Sequence, residues 1–214
     1  MISAFTTLKV NVMEFLLSLI PLATKFFLIA NPIGNSPVII SLVRHFDFKR
    51  QQLIIFREVM IALFIAIFFQ YFGEVFLGML NIQDYALTFC GGILIFLVAL
   101  QMIFAEPQDE KSTASKVEPF IVPIATPILA GPGLMAIIML NSKIENNNFK
   151  ISAAIILCWI VLYLILCLAP YLQKVFGPRG LAALEQLMGM LLSFMAMGMI
   201  VKGMTLFLKT FNLG

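Results

Sequence analysis

Ile151 to Leu172 runs without a single charged residue. A helix needs about 20 mostly apolar residues to cross a hydrocarbon core of about 30 Å. Inside that core the backbone must satisfy its own hydrogen bonds, so a run of this length and polarity folds as a helix. Five more segments read the same way. Together the six cover roughly 13–43, 53–73, 85–105, 119–141, 151–172 and 187–208. Only 12% of the residues are charged, 61% are hydrophobic and the mean hydropathy is +1.02. Soluble domains carry about 25% charged residues. The composition therefore excludes a soluble enzyme or nucleic-acid binder and makes membrane lipid the obligatory partner. The expected fold is an all-α membrane protein of six transmembrane helices.

Lys and Arg in the short loops set the orientation. Arg44, Lys49, Arg50 and Arg57 flank the first loop, Lys111 and Lys116 lie in the third, and Lys174 and Arg179 in the fifth. The opposite side receives Lys9, Lys143, Lys150 and Lys209. The excess predicts loops one, three and five in the cytoplasm and both termini periplasmic. No basic region followed by a short apolar run and a small-residue cleavage site opens the chain, so no cleaved signal peptide is expected. Cys90, Cys158 and Cys167 sit in apolar runs and read as buried small hydrophobes. With His45 the only histidine, no multi-histidine metal site can form. No metal or organic cofactor is expected.

The chain also repeats itself. At an offset of about 100, Leu28-Ile29-Ala30-Asn31-Pro32 lies over Ile128-Leu129-Ala130-Gly131-Pro132. At a slightly smaller offset, Gly92, Ala99, Met102 and Ile103 lie over Gly189, Ala196, Met199 and Ile200. The units are residues 1–105, a first three-helix repeat, and 119–214, a second. A polar cytoplasmic linker, 106–118, joins them. Three spans per unit is an odd number, so the second unit enters from the opposite side. That gives an inverted-topology repeat, which suits alternating access around a midplane site.

Each repeat carries a break in its first span. Pro32 and Pro37 lack the N–H that helix continuation needs, Asn31 precedes a proline, and Gly34 supplies freedom to turn. Ser36-Pro37 makes a good N-cap and first-turn pair. The expectation is a helix over about 15–30, an unwound centre and a short helix to about 43. Pro123, Pro127 and Ala130-Gly131-Pro132-Gly133 predict the matching break. Irregular backbone inside a bilayer is tolerated only where protein buries it or a cavity adjoins it. Restarted helices point positive N-terminal ends at the breaks. Those ends suit a carboxylate, and freed carbonyls suit an ammonium or a cation. The candidate substrate site is therefore Asn31, Pro32, Gly34, Asn35, Ser36, Thr126, Ala130, Gly131, Pro132 and Gly133. Lys25, six positions before Asn31, is a candidate charge partner, with snorkelling to the interface as the alternative. Lys202 in the last span has the same two readings. Arg57-Glu58 reads as an interfacial pair, and the Met-rich last span as adaptable packing.

Asn31-Pro-Ile-Gly34, Gly91-Gly92, Val122-Pro123 leading to Ala130-Gly-Pro-Gly133, and Met188-Gly189-Met190-Leu191-Leu192 resemble the MarC family of bacterial inner-membrane proteins. The resemblance runs from about residue 15 to residue 208. It implies membership of the LysE-type transporter superfamily, with six spans in two inverted halves. Some members of the family are described as neutral amino acid transporters. The family pattern places an arginine before the third-span glycines and another before the last Met-Gly. Here those positions hold Thr88 and Gln186.

The leading expectation is a secondary transporter of a small polar solute, most simply a neutral amino acid, with Na+ or H+ as candidate coupling ions. A channel or facilitator, and a non-transporting scaffold or regulator, are the alternatives. An enzyme is not expected. The aspartates Asp47, Asp84 and Asp109 lie in or beside loops, and neither H-E-x-x-H nor a nucleotide-binding G-x-x-x-x-G-K-[ST] occurs. A homo-oligomer is compatible with these features.

Overall fold

The computed structural model describes residues 2–43, 45–104, 124–145 and 147–211. The expected linker over 106–118, with Val122 and Pro123, lies outside them. Regular structure among the described residues is entirely helical. The elements are α1 (Ile2–Ala30), α2 (Pro32–Val43), α3 (Phe48–Met79), α4 (Asp84–Ile103), a single π-turn (Ile124–Leu129), α5 (Pro132–Ile144) and α6 (Asn148–Thr210). Five stretches among the described residues are long and apolar enough to cross a membrane: Met13–Ser36, Phe48–Met79, Asp84–Ile103, Asn148–Ala169 and Arg179–Thr210. Phe64, Leu164, Phe194 and Val201 are among the large apolar side chains left exposed on them.

The fourth expected span, 119–141, is described from Ile124 onward. Its described part is the π-turn followed by α5, whose 13 residues extend only about 20 Å. Leu134, Met135, Ala136, Ile137, Ile138 and Leu140 of α5 are all buried. A helix apolar all round belongs inside a protein, and α4, α3 and α1 pack against it, with α6 touching it more lightly. At its far end Lys143 Nζ donates to Asp84 Oδ1 at 2.7 Å, fastening it to the start of α4. That bond holds the Lys143 ammonium above the ordinary lysine range.

The two arms of α6 meet at Gly177, whose φ of 65° and ψ of 174° are non-helical. This region is open essentially to glycine alone. A Cβ there would meet nothing within 4 Å, so the backbone, not packing, requires the glycine. The arms then pack on different partners. The first runs antiparallel to α3. Gln70 Nε2 donates to the Asn148 carbonyl at 2.9 Å, Trp159 Nε1 to the Val59 carbonyl at 3.1 Å, and Gln52 Nε2 to the Cys167 carbonyl at 3.5 Å.

The second arm runs antiparallel to α4 at close range. A Cβ on Gly92 would lie 3.0 Å from the Ala196 carbonyl oxygen and 2.9 Å from Ile200 Cγ1. A Cβ on Gly189 would lie 3.0 Å from the Ala99 carbonyl oxygen and 3.0 Å from Ile103 Cγ1. Small residues permit such backbone approach between apolar helices. The two contact sets are images of each other under the 97-residue separation of Gly92 and Gly189.

Three local expectations need correction. The first break is not an unwound stretch but one residue, Asn31, at φ 47°. The helix resumes at Pro32, not Ser36, so Ser36 lies inside α2. Asn31 acts as the cap instead: its Oδ1 accepts from the Gly34 N–H at 3.2 Å, with Pro32 in the first helical position. The missing N–H of Pro37 is tolerated because Ser36 Oγ donates to the Ile33 carbonyl at 2.7 Å. Cys90, expected to be buried, is exposed. Arg57 and Glu58 form the expected pair, with the Glu58 side chain 0% exposed against 32% for Arg57.

Candidate substrate site

The two breaks meet. Both restarted helices begin at a proline that follows a capping residue, Asn31-Pro32 in one and Gly131-Pro132 in the other. One side chain ties the breaks together. Asn35 Nδ2 donates to the Ala30 carbonyl at 3.0 Å and to the Ile128 carbonyl at 3.2 Å. Ala30 ends α1 and Ile128 lies in the π-turn, so one amide answers a carbonyl at each break. The π-turn closes through Ala130 N–H, which donates five residues back to the Ala125 carbonyl at 2.8 Å. Single π-turns of this kind recur at functional sites.

A cavity of about 410 Å³ opens between the breaks and α4, within the range of about 300–1,000 Å³ common for small-molecule sites. Five of the expected site residues line it: Asn31, Asn35, Gly131, Pro132 and Gly133. The others do not line it among the described residues. Pro32, Gly34 and Ala130 are buried behind the wall. Ser36 is 0% exposed and bonded within α2. Thr126 lies in the π-turn, and its side chain is outside the described residues. Lys25 turns elsewhere, with Nζ donating to Asn141 Oδ1 of α5 at 3.4 Å. Lys202 is exposed on the last arm.

Sequence reasoning missed the opposite wall, which is Leu94, Ile95, Leu97, Val98 and Gln101 of α4 with Leu192 of α6. Gly133 was the available signal. A Cβ there would lie 2.5 Å from Ile95 Cγ1, so a glycine at that position lets α4 approach. Thr88, at the first family arginine position, is buried and donates to the Asp84 carbonyl at 2.7 Å. Gln186, at the second, is exposed.

The polar character of the cavity is specific. No described lining residue is ionisable. Both Asn31 amide ends are engaged, Nδ2 with Met102 Sδ at 3.0 Å and Oδ1 with Gly34. Asn35 commits its Nδ2, and its Oδ1 accepts from no described residue. The cap Gly131 makes no side-chain bond to the first turn of α5, and the first bond recorded there runs from Met135 N–H to the Gly131 carbonyl. The N–H groups of Gly133 and Leu134, both lining residues, are therefore left without a helical acceptor. The cavity thus offers an amide acceptor on one side and a helix N-terminus on the other. Among the described residues no group of three or more His, Cys, Asp or Glu is placed to hold a metal.

A helical chain with five stretches able to cross a bilayer, folded around a cavity between two broken helices, is a polytopic integral membrane protein. The chain belongs to the MarC family of integral membrane proteins, whose pattern it matches over residues 16–208. It is 35% identical over 193 residues to the UPF0056 inner membrane protein YhgN of Escherichia coli K12, covering 89% of this chain and 98% of that one. It is 34% identical over 183 residues to the UPF0056 membrane protein BU449 of Buchnera aphidicola, covering 85% and 93%. A UPF0056 membrane protein of Chlamydia trachomatis is 34% identical over 201 residues, covering 92% and 96%. No solved structure matches the chain.

Proposed function

We propose that the protein is a secondary transporter of the bacterial inner membrane, moving a small solute of zero net charge, most simply a neutral amino acid, by alternating access. The observation that carries this reading is the cavity bounded by both helix breaks and, among the described residues, by no ionisable side chain. An ammonium fits Asn35 Oδ1. A carboxylate fits the N–H groups of Gly133 and Leu134, where the helix end carries about half a positive charge. A net cation or anion would find no counter-charge there.

The architecture belonging to this reading is two inverted three-helix repeats, 1–105 and 119–214, with six passes and both termini periplasmic. The reciprocal Gly92 and Gly189 contacts support it, because a two-fold axis in the membrane plane makes equivalent helices antiparallel and their contacts mutual. The cellular location is supported by the name of the Escherichia coli relative. The protein acts on its solute without covalent chemistry and is not an enzyme in this reading.

Uptake of radiolabelled glycine, alanine, serine and threonine into proteoliposomes, with and without imposed proton and sodium gradients, tests it. Gly131→Ala is the informative variant. The φ of −71° at Gly131 is ordinary for any residue, so the change adds a methyl to a residue of the cavity wall without backbone strain. Saturable, gradient-driven uptake with a raised KM in Gly131→Ala is expected. Uptake indifferent to gradients would make the protein a facilitator. No flux through folded, inserted protein would leave a scaffold.

A further inference from the structure

Glu58 is the one acidic side chain that is fully buried among the described residues. It lies ten residues into α3 and has no part in the cavity wall. Its Oε1 takes both contacts from Arg57, Nε at 3.1 Å and Nη2 at 2.9 Å. Among the described residues its Oε2 receives only the N–H of Ala125, at 3.3 Å. A carboxylate has about four lone-pair sites, so Oε2 is a poorly satisfied oxygen in a dry place. Ionisable groups within a membrane are costly and usually functional.

Ala125 is the point at which the π-turn is held. Its N–H faces Glu58 and its carbonyl accepts from Ala130, the residue before Gly131. Three positions along, the Ile128 carbonyl accepts from Asn35. A hydrogen-bonded path therefore runs from Arg57, half-exposed, through Glu58 and the π-turn to the cavity wall. We infer that Glu58 is the site that binds the coupling proton, and that its charge state sets whether the π-turn is held against α3. This rests on the transport reading above and commits it to H+.

The chemistry around Glu58 favours a proton over a sodium ion. The neighbouring groups are N–H donors, from Arg57 and Ala125, and a metal cation needs several oxygens. A proton needs one lone pair. On binding Oε2 it takes Glu58 from −1 to 0, weakens the attraction of Arg57 and turns the acceptor of the Ala125 N–H into a donor. Arg57 keeps its charge and its exposed face. The π-turn, α5 and the first arm of α6 pack against α3. The π-turn carries no ionisable residue, α5 only Lys143 at its far end, and the first arm of α6 Lys150, Cys158, Tyr163, Cys167, Tyr171 and Lys174. None of these is a carboxylate.

The lone tryptophan reports on this site, since Trp159 donates to the carbonyl of Val59, the residue next to Glu58. Its fluorescence should be followed against pH in nanodiscs for wild type, Glu58→Gln, Glu58→Asp, Cys158→Ala and His45→Ala. Wild type, Cys158→Ala and His45→Ala should show one single-proton transition. Glu58→Asp should show it at a different midpoint, and Glu58→Gln should show none. A flat wild-type trace, an unchanged midpoint in Glu58→Asp or a persisting transition in Glu58→Gln would overturn the proposal. Uptake separates the two readings. If wild type moves no solute, the transport reading fails, and the fluorescence series still decides whether Glu58 binds a proton. If wild type moves solute under a proton gradient, Glu58→Gln should lose that dependence and keep solute exchange. Uptake driven by sodium alone would refute the assignment of H+ and leave transport standing.

Discussion

Asn31 and Asn35 are the same residue type put to different uses. Asn31 turns the chain, caps α2 and bonds Met102, all at φ 47°. Replacing it with alanine removes a cap worth about 1 kcal/mol and leaves a Cβ in the left-handed region, a strain of about 1–2 kcal/mol, without the local side-chain hydrogen bond that lets asparagine tolerate it. Glycine removes the cap and keeps the backbone easy. The thermal midpoint in detergent should therefore fall in the order wild type, Asn31→Gly, Asn31→Ala. Asn35→Asp keeps the size but loses both donors and sets a carboxylate against two carbonyls. It should destabilise the protein by about 2 kcal/mol or more, as judged by denaturant unfolding. Pro32 and Pro132 made both breaks legible in the sequence. Where the helix restarts was not legible, because Asn31-Pro32 and Ser36-Pro37 are equally good starting pairs. The choice is made by tertiary contacts, the Met102 sulfur on Asn31 and the Ile128 carbonyl on Asn35. The burial of Glu58 was hidden for the same reason: its partner across the fold is a backbone N–H, which leaves no mark in composition.

Among the elements, α4 is held at close range on two sides. Gly91 and Gly133 let it meet α5, and Gly92, Gly189 and Gly203 let it meet the last arm of α6. At Gly203 an added Cβ would lie 2.9 Å from the Phe89 backbone nitrogen, so no side-chain movement relieves it. Gly92→Val and Gly189→Val should each cost about 1–3 kcal/mol by overpacking. The two losses should be of similar size, because each valine meets the equivalent carbonyl, Ala196 or Ala99. Unfolding of both variants in one detergent checks this. Five long apolar helices were readable from length and hydropathy, with α3 and the last arm of α6 each longer than expected. The fourth segment is described only from Ile124, and its α5 is apolar all round. That pattern is common to membrane spans and to helices buried in protein, and only length separates them.

For the molecule as a whole, the orientation and the repeat are both open to direct test. The proposed orientation has both termini in the periplasm. A phosphatase fused after Gly214 should therefore be active and a green fluorescent protein at the same place dark, and the reverse result would invert the assignment. The cavity joins residues 100 positions apart, which explains why the site was only half visible in the sequence. The motif-bearing side could be read from Pro and Gly, whereas the α4 side, Leu94 to Gln101, looks like any apolar helix until something is seen to face it.

The mutual seating of Gly92 on Ala196 and Gly189 on Ala99 also says how much of the chain is needed to specify the interface. Each half presents both the groove and the ridge that its counterpart requires. Expressed as two separate polypeptides, 1–105 and 119–214, the halves should find each other in the membrane and co-purify. The covalent connection would then serve to fix stoichiometry, with recognition already written twice in the chain.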